Sequence, residues 1–552
     1  MKAVYPWHKH YDPGVPVTID YPAHSLVYFL EDTARRYPHQ LGMILNHEEL
    51  TYAQIETQVH QAAQEFVRLG IKKGDRVGLW LPNLPEFVIA FYGVLKAGGV
   101  VMAFNPQYKA REIEHQANDS GIELLVVTGP LYRLAKEVQP RTRIKKIIVV
   151  QRNESFEIDR GVECGPEDIL WRDLIDRPLA DDQSMPAVGP EDPAIFQYTG
   201  GTTGVPKCAI GLHRNLVANT LQFRHWLVNV TEGQETLMLA IPMYHVYGMV
   251  LGMSLGVMLG ATLVLAPNPR DLNSLLASLQ RHRVTIFPGV PNLYHSIILH
   301  PDVQAGRTHL QTIKACISGS APLPRLVKEQ FESLTGGMLV EGYGLSEAPT
   351  ATHCNPIMGE NRAGSIGLPL PDVECRIVSL EDGATLLGPE GVGELAIRGP
   401  QVMAGYHGMP EETRLTLKDG WLYTGDIARM DQEGYFYLVD RKKDVIKSGG
   451  FQVWPNEVEA IINTHPQVLE SAVAGVIDPW QGEVVKAWIV LKSGDSLSEW
   501  ELTGEEIQAW CRKVLAGYKI PQMVEFRTSL PRTMVGKILR RELVREHQLA
   551  NQ

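Results

Sequence analysis

The residues best suited to chemistry lie in one stretch, residues 198–207, which reads YTGGTTGVPK. Its glycines let the backbone take up positive φ angles and approach a ligand closely. Its threonine hydroxyls and successive backbone N–H groups can line a concavity that binds an anion, and Lys207 adds a point charge that suits a phosphate. Apolar residues at 194–196 and 208–212 predict a short strand on either side. The stretch therefore predicts a loop that holds a polyphosphate.

This loop differs from a Walker A loop, because no Gly-Lys-Ser/Thr sequence closes it and opens a helix. A flexible surface turn is the usual interpretation of a short Gly/Thr cluster, but ten residues that end in Pro-Lys between two predicted strands favour a binding loop. The candidate phosphate ligands are Thr199, Gly200, Gly201, Thr202, Thr203, Gly204 and Lys207.

The elements before this loop alternate between strands and helices. Apolar periodicity predicts helices at residues 25–37, 51–69, 85–97 and 110–118. It predicts strands at residues 75–81, 100–104, 124–127 and 146–150. Residues 151–188 are polar and rich in Asp, Glu and Pro, so we expect connecting loops there. The alternation predicts an α/β fold with a largely parallel sheet.

Two later strands are each followed by a polar loop. After a strand that breaks into a loop over 284–291, the strands are predicted at residues 314–318 and 338–340, and the loops at 319–323 and 341–347. Because ligands of open α/β sheets bind beyond the carboxyl ends of the strands, both loops are placed to meet one ligand. Tyr343 offers an aromatic face, and the hard carboxylate oxygens of Glu347 suit magnesium. The alternative is a tight turn with a solvated glutamate.

The last third of the chain differs from the earlier part in its predicted elements. Short alternating runs at 372–408 predict a β-rich subdomain, and residues 421–428 predict a strand that bears Asp426. A hairpin at 434–439 and a charged run at 440–444 follow. The remaining predicted elements are a helix capped at Asn456, strands at 472–476 and 485–490, a helix at 503–515, and a basic helix after Lys537.

Length and composition bound the protein class. A chain of 552 residues exceeds one ordinary domain, and 44% hydrophobic with 21% charged residues is typical of a soluble globular protein. The net charge of −11 argues against nucleic-acid binding. Six scattered cysteines form no CxxC pair, so neither a zinc site nor a disulfide framework is expected. No signal peptide is apparent, and the apolar run at 248–267 contains glycines and ends like a strand, so we expect a buried helix and strand there.

Five ordered motifs resemble those of the adenylate-forming enzymes, and of acyl-CoA synthetases in particular. They lie at residues 198–207, 341–347, 421–428, 440–444 and 530–541, so the resemblance covers nearly the whole chain. Gly200 stands where the family usually has Ser, but its long-chain fatty acyl members often have Gly there. The closest likeness is to bacterial long-chain fatty acid–CoA ligases. Nothing in the sequence accounts for Cys208, where Gly is commoner.

The resemblance implies a reaction and its substrates. A fatty acid, most simply a long-chain one, would react with ATP to give acyl-AMP and pyrophosphate, and CoA would then displace AMP to give acyl-CoA. ATP, Mg²⁺ and CoA are therefore expected, with Glu347 and Thr199 as metal ligands. Medium-chain and aryl acids stay open as substrates. So do acyl transfer to a carrier protein and a regulatory nucleotide-binding protein without turnover.

The resemblance also implies roles for single residues. Lys537 would be the catalytic lysine of adenylation, Asp426 the ribose ligand, and Arg441 a ribose or phosphate ligand. Further nucleotide-binding residues would be Gly319, Ser320, Ala321, Pro322, Glu341, Gly342, Tyr343, Gly344, Ser346, Lys447 and Gln452.

The remaining roles concern the acyl group, CoA and domain movement. His245 would lie beside the substrate carboxylate, with Tyr247 and Gly289 lining the acyl pocket. A lone histidine among aromatics is more often a packed core residue, and the resemblance makes the two interpretations equal. The CoA-binding residues would be Gly449, Gly450 and Phe451. The resemblance divides the chain into a large domain, 1–440, and a small mobile domain, 441–552, joined at a hinge, 440–443, with Lys443 as its pivot.

A different class of enzyme has one motif in its favour. Residues 252–256 match the GxSxG pattern of a hydrolase nucleophile elbow, with Ser254 as nucleophile. The stretch is apolar and lacks a preceding strand, so we interpret it as a chance match. For the location, we expect the cytoplasm, with peripheral contact at the inner membrane face and a homodimer left open.

Overall fold

The computed structural model describes residues 5–179, 184–199, 206–448, 451–478, 482–492, 502–533 and 536–550, without the side chain of residue 452. The α-helices are α1 Val27–Arg36, α2 Tyr52–Arg68, α3 Pro85–Lys96, α4 Ala110–Ser120, α5 Gly129–Val138, α6 Trp171–Ile175, α7 His213–Trp226, α8 Leu255–Met258, α9 Leu272–Arg281, α10 Pro291–Ile298, α11 Pro301–Gln304, α12 Arg325–Thr335, α13 Pro410–Thr416, α14 Pro455–Ile462, α15 Gly504–Arg512 and α16 Arg540–Ala550. A π-helix spans Tyr247–Ser254.

The strands are β1 Leu41–Leu45, β2 Glu48–Thr51, β3 Arg76–Trp80, β4 Val100–Ala103, β5 Leu124–Thr128, β6 Lys146–Val150, β7 Ile169–Leu170, β8 Pro193–Tyr198, β9 Cys208–Leu212, β10 Thr236–Leu239, β11 Thr262–Leu265, β12 Ala315–Ser318, β13 Met338–Leu345, β14 Ala348–Cys354, β15 Leu368–Pro369, β16 Glu374–Val378, β17 Leu386–Leu387, β18 Gly393–Arg398, β19 Gly405–Tyr406, β20 Leu417–Lys418, β21 Trp421–Met430, β22 Phe436–Arg441, β23 Ile446–Ser448, β24 Phe451–Val453, β25 Val468–Asp478, β26 Gly482–Leu491 and β27 Met523–Arg527. The alternation predicted before the phosphate loop is confirmed, with bounds shifted by at most two residues at each end.

The chain divides into two compact units. Within the described residues, the first unit covers 5–199, 206–374 and 398–422, and the second unit covers 375–397 and 423–550. The hinge predicted at 440–443 therefore lies inside the second unit. The division into residues 1–440 and 441–552 stays a prediction.

The main sheet of the first unit has eight strands in the order β19-β9-β8-β4-β3-β5-β6-β7. Strands β3 to β8 pair in parallel, whereas β9 and β19 are antiparallel additions. The strands carry near-continuous apolar runs because helices cover a parallel sheet on both faces. The α/β class predicted from the alternation is confirmed.

Two four-stranded sheets complete the first unit, in the orders β10-β11-β1-β2 and β12-β13-β14-β15. Strands β12 and β13 are parallel, so the segments that follow them leave the same edge. The strand predicted within 284–291 is reduced to single bridges at Ile286 and Gly289.

The predicted loop at 341–347 is wrong in its first part, because β13 continues to Leu345. Antiparallel pairing with β14 supplies hydrogen bonds that the pattern after residue 340 does not show. Gly344 permits this pairing, since a Cβ there would lie 1.7 Å from the carbonyl oxygen of Thr350. The loops predicted at 151–188 are interrupted by β7 and α6.

The apolar run at 248–267 forms the π-helix, α8 and β11, which confirms the buried helix and strand. Within the described part of the chain, none of the helices combines the length and apolar character needed to span a membrane.

The second unit is richer in β-structure. Its first sheet has the order β17-β16-β18-β21, and β22 pairs with β21. The other sheets are the pair β23-β24 and the sheet β25-β26-β27, against which α14, α15 and α16 pack. The helix cap predicted at Asn456 is wrong: α14 begins after Trp454, with Pro455 at its first position and no side-chain cap from Trp454.

Candidate active site

The predicted phosphate loop joins two paired strands. Strands β8 and β9 run antiparallel, and the Thr199 amide donates to the Lys207 carbonyl at 2.8 Å, which closes the base of the loop. The ligands predicted at Gly200, Gly201, Thr202, Thr203 and Gly204 lie outside the described residues. Their role stays a prediction, whereas both flanking strands are confirmed.

Lys207 and Glu347 have a common neighbour, the buried Tyr406. The Lys207 ammonium lies 5.2 Å from the centre of the Tyr406 ring and forms an ion pair with Glu412. The Tyr406 hydroxyl donates to Oε1 of Glu347 at 2.9 Å. Burial and the nearby Glu347 raise the pKa of Tyr406, so its hydroxyl stays a donor. The structure thus brings the loop lysine and the predicted metal ligand into contact with one tyrosine.

Glu347 fits a magnesium site of the kind that also uses substrate phosphates. Mg²⁺ commonly takes one or two protein carboxylates and fills its other positions with water and phosphate oxygens. Glu347 and Thr199 are both half-buried. Within the ranges that the structure describes, no group of three or more His, Cys, Asp or Glu side chains could hold a metal by itself.

The loop after β12 is held by a buried carboxyl group. Ser320 adopts a left-handed conformation (φ 70°), and the Leu323 amide donates to Oε2 of Glu341 at 3.2 Å. Burial raises the pKa of Glu341 to about 8. Glu341 therefore ties the segment that contains Gly319, Ser320, Ala321 and Pro322 to β13.

The predicted adenine-binding residues continue along β13. Gly342, Tyr343 and Gly344 lie in β13, and Ser346 is in the turn that leads to β14. The Tyr343 ring is buried and meets the ring of His353 edge-on, with 5.8 Å between centroids. Adenine stacking on Tyr343 stays a prediction.

The residues predicted for the acyl pocket make packing contacts within the first unit. The Tyr247 hydroxyl donates to the carbonyls of Ile317 at 2.6 Å and Gly289 at 3.1 Å. A Cβ on Gly289 would lie 2.6 Å from the ring of Tyr294, so a side chain does not fit there. Their contact with an acyl chain stays a prediction.

His245 is neutral near pH 7. Desolvation by burial lowers its pKa to about 4. Its Nδ1 accepts a hydrogen bond from the Tyr247 amide at 3.2 Å, so the single proton of the neutral ring is on Nε2. His245 therefore offers a donor rather than a charge, and its place beside a carboxylate stays a prediction.

Ser254 lies in the wrong setting for a nucleophile. It is fully buried in the π-helix, and its hydroxyl donates to the Met249 carbonyl at 2.9 Å. A nucleophile elbow needs an exposed serine between a strand and a helix. The geometry therefore contradicts the hydrolase alternative.

Ser254→Ala should leave turnover within a few-fold of the parent. The substitution removes one buried hydrogen bond and should cost about 1 kcal/mol of stability. Steady-state rates and a thermal melt test this expectation. Loss of activity in a folded variant would restore the hydrolase hypothesis.

In the second unit, Asp426 and Arg441 face each other across β21 and β22. Asp426 is buried, and its Oδ1 lies 3.1 Å from Nε of Arg441. The Asp426 amide donates to the Thr424 hydroxyl at 3.1 Å. The predicted ribose and phosphate ligands are thus adjacent.

Lys537 lies within electrostatic range of Asp426 and Arg441. Gly536 (φ 79°) and two hydrogen bonds with Thr533 form its turn: the Thr533 amide donates to the Lys537 carbonyl at 2.8 Å, and the Lys537 amide donates to the Thr533 hydroxyl at 3.1 Å. Burial, with Arg441 next, lowers the pKa of Lys537 to about 8, although Asp426 acts in the opposite direction. The Gly-led turn predicted from the sequence is confirmed.

The predicted CoA-binding segment is described in part. Gly449 and Gly450 lie outside the described residues, as does the side chain of Gln452. Phe451 is 57% exposed and stacks on Tyr518, with 4.6 Å between ring centroids. Lys447 is exposed, and its amide donates to Glu483 at 2.8 Å. Phe451 is the exposed member of this pair, whereas Tyr518 is half-buried.

The predicted pivot, Lys443, lies in a turn. The Asp444 amide donates to the Arg441 carbonyl at 3.0 Å, so Lys443 is the third residue of that turn. Its side chain is exposed. Its function as a hinge stays a prediction.

Sequence reasoning missed Tyr406, Glu412, Asp440 as an acceptor for backbone amides, and Arg540. Tyr406 lies in β19 and reaches the loop only because β19 pairs with β9. Arg540 follows Lys537 by three residues, and the basic run there was the available signal.

Comparison with known proteins adds three findings. A family model described as AMP-binding enzyme matches residues 30–407, and one described as AMP-binding enzyme C-terminal domain matches residues 457–537. A long-chain-fatty-acid–CoA ligase of Bacillus subtilis (strain 168) is 39% identical over 561 residues, covering 99% of each chain. A protein of the same name from Yersinia pestis is 38% identical and covers 97% of each chain. The solved structure of ATP-bound MatB from Rhodopseudomonas palustris matches with a TM-score of 0.84 at 25% identity, covering 96% of this chain and 100% of that one.

Proposed function

Because the chain belongs to the AMP-binding enzyme family, we propose that it activates long-chain fatty acids with ATP and transfers the acyl group to CoA. The observation that carries the proposal is similarity over essentially the whole chain to relatives named long-chain-fatty-acid–CoA ligases. The cluster of Asp426, Arg441 and Lys537 supports it independently, since it combines a ribose acceptor with two cations.

The chemistry runs in two steps. A carboxylate is a poor acyl donor because its leaving group would be an oxide. Its oxygen therefore attacks the α-phosphorus of ATP, pyrophosphate leaves, and acyl-AMP forms as a mixed anhydride. The CoA thiol then loses its proton and attacks the acyl carbonyl, and AMP leaves with the electrons of the broken C–O bond.

The chain's own residues position and neutralise charge in the first step. Asp426 accepts hydrogen bonds from the two ribose hydroxyls, and Arg441 neutralises phosphate charge beside it. The phosphate loop and Lys207 hold the β- and γ-phosphates. Mg²⁺, held by Glu347 with Thr199, would supply further neutralisation of the triphosphate.

Lys537 acts as a protonated amine. With a pKa of about 8 it carries its charge near pH 7 and loses it as the pH rises through 8. Its nearness to Arg441 and Asp426 supports a role beside the ribose and the α-phosphate. We therefore assign the adenylation step to Lys537.

The second step uses a different set of residues. Lys443 serves as the pivot through which the small domain, 441–552, turns after adenylation and withdraws Lys537. Gly449, Gly450 and Phe451 are the residues that we expect to contact CoA in this step, and the Phe451 side chain is exposed. Such movement gates the order of the two steps.

The choice of acyl group is determined by the residues around His245, Tyr247 and Gly289. The neutral His245 donates from Nε2 toward the substrate carboxylate. Medium-chain and aryl acids stay the alternative substrates, because pocket depth depends on packing across several segments. A cytoplasmic location, peripheral membrane contact and a homodimer stay predictions.

The decisive experiment separates the two half-reactions. Pyrophosphate release should depend on fatty acid, and thioester formation should then depend on CoA. Hydrolysis of esters without ATP, or nucleotide binding without turnover, would refute the proposal. Competition among short, medium, long and aryl acids then identifies the preferred substrate.

Asp426→Ala should weaken ATP binding by at least about 100-fold. Two hydrogen bonds from ribose hydroxyls to a charged acceptor are worth roughly 1.5–3 kcal/mol each, and about 1.4 kcal/mol corresponds to tenfold. Calorimetry with ATP measures the effect, and a melting curve checks the fold. An unchanged affinity would remove Asp426 from the nucleotide site.

A further inference from the structure

A largely buried set of side chains connects the strand that carries Arg441 to α14. Asp440, the residue before Arg441 in β22, is 3% exposed. Its Oδ2 accepts from the Asn456 amide at 2.8 Å, and its Oδ1 accepts from the Arg441 amide at 2.7 Å. The Asn456 side chain donates in return to the Val439 carbonyl at 3.2 Å. These hydrogen bonds therefore hold the end of β22 next to the start of α14.

Arg540 extends this connection to the segment that carries Lys537. Its Nη2 donates to Oδ1 of Asn456 at 2.6 Å, and its Nε and Nη2 donate to Glu459 at 3.0 and 2.8 Å. Glu459 also accepts from the Val473 amide at 2.7 Å, which anchors it to β25. Arg540 is the first residue of α16 and follows Lys537 by three positions. We call Asp440, Asn456, Glu459 and Arg540 the brace.

We propose that the brace is the positioning device that holds Lys537 within electrostatic range of Asp426 and Arg441, and that Arg540 is its key residue. This inference rests on the proposed function, in which Lys537 serves adenylation. Arg540 touches no reacting group in this scheme; it acts through Lys537. On one side of the turn, the Lys537 amide donates to the Thr533 hydroxyl. On the other side, Arg540 donates to Glu459. Asp440 accepts from the amides of Arg441 and Asn456, and Arg540 donates to the Asn456 side chain. Asp440 therefore connects Arg441, and its partner Asp426, to Arg540 through Asn456.

The geometry favours arginine over lysine at position 540. A planar guanidinium can meet a carboxylate with two donors and an amide oxygen with a third contact, which an ammonium cannot do in one plane. Glu459 and Asp440 are largely buried carboxylates whose partners are backbone amides and Arg540, so release of Arg540 leaves Glu459 without its charged partner. A loosened Lys537 would lose its fixed place, and a displacement of about 1 Å can cost about 100-fold in rate.

The charge environment of Lys537 supplies a readout that a purely structural role would not move. Burial and the cations Arg441 and Lys443 lower the pKa of Lys537, while Asp426 and Asp444 act against them. If the brace opens, Lys537 gains water and its pKa should rise toward the ordinary lysine value. The rate of Lys537 acetylation by an amine-reactive ester, followed by mass spectrometry against pH, measures this pKa directly.

The test compares Arg540→Gln and Arg540→Lys with the control Arg545→Gln on the same helix. Arg545 is exposed and pairs locally with Glu542 at 2.7 Å. In both Arg540 variants we expect adenylation to fall by about 100-fold, thioester formation from supplied acyl-AMP to stay within about twofold, and the Lys537 pKa to rise. The control should match the parent in all three measurements.

Asp440→Asn changes a second residue of the brace and is used if Arg540→Gln does not stay folded at the assay temperature. The double variant should lose little more than either single variant, since both open one brace. Folded variants at both positions with parental adenylation and parental Lys537 pKa would overturn the inference. Lys537→Ala, assayed in parallel, keeps the two claims apart: if it retains adenylation, the proposed role of Lys537 fails instead.

Discussion

Lys537→Ala lowers the rate of acyl-AMP formation by about 10²- to 10³-fold and leaves thioester formation from supplied acyl-AMP nearly intact: this is the expected result of the simplest test of the adenylation site. Lys537 brings a largely desolvated charge beside Asp426 and Arg441. A preorganised donor of this kind typically contributes about 10²- to 10³-fold in rate, because it needs no reorganisation during the reaction. Quenched-flow measurement of pyrophosphate release and a thiol-consumption assay follow the two steps separately.

The control for this variant must keep the local fold. Lys519→Ala, which removes a lysine that pairs with Glu457 at 2.6 Å in the same unit, is the matched substitution. It should retain adenylation. Equal losses in both half-reactions of Lys537→Ala, at an unchanged melting temperature, would contradict the assignment.

The fold was predictable wherever one periodicity dominated. Strand β6 and strand β9 match their predicted bounds, since each is a short apolar run bounded by polar residues. Helix α2 lies within its predicted range, and the Thr51 side chain caps it by accepting from the Gln54 amide. The predictions were wrong where pairing decided the structure: β13 extends through a glycine-rich segment only because β14 lies beside it.

The candidate site was predictable as a set of ordered motifs but not as a set of contacts. Lys537 and Asp426 are far apart in the chain, and the motifs alone do not show that they share one charge environment. Tyr406 carries no motif, although it contacts both Lys207 and Glu347. Asp440 is part of the charged run at 440–444, and that pattern does not show that the structure buries it as an acceptor for two backbone amides. Long-range contacts of this kind depend on strand pairing, which local patterns do not encode.

The second large effect on activity is expected from a proline substitution at Lys443, the predicted pivot. Lys443 is the third residue of the turn from Arg441 to Asp444, and among the described residues its amide makes no backbone hydrogen bond. A pivot must change φ and ψ, and proline fixes φ near about −65°. Lys443→Pro should therefore hold the chain in the adenylating pose.

The expected result is a pyrophosphate burst within a few-fold of the parent, together with a loss of thioester formation by orders of magnitude. Lys443→Ala is the matched control, because it removes the same side chain but keeps the backbone free, and it should complete both steps. Proline restricts the backbone within this turn, so a melting curve must show that the small domain stays folded. A folded Lys443→Pro variant that runs both half-reactions at parental rates would place the pivot elsewhere, because a residue with fixed φ cannot carry the rotation.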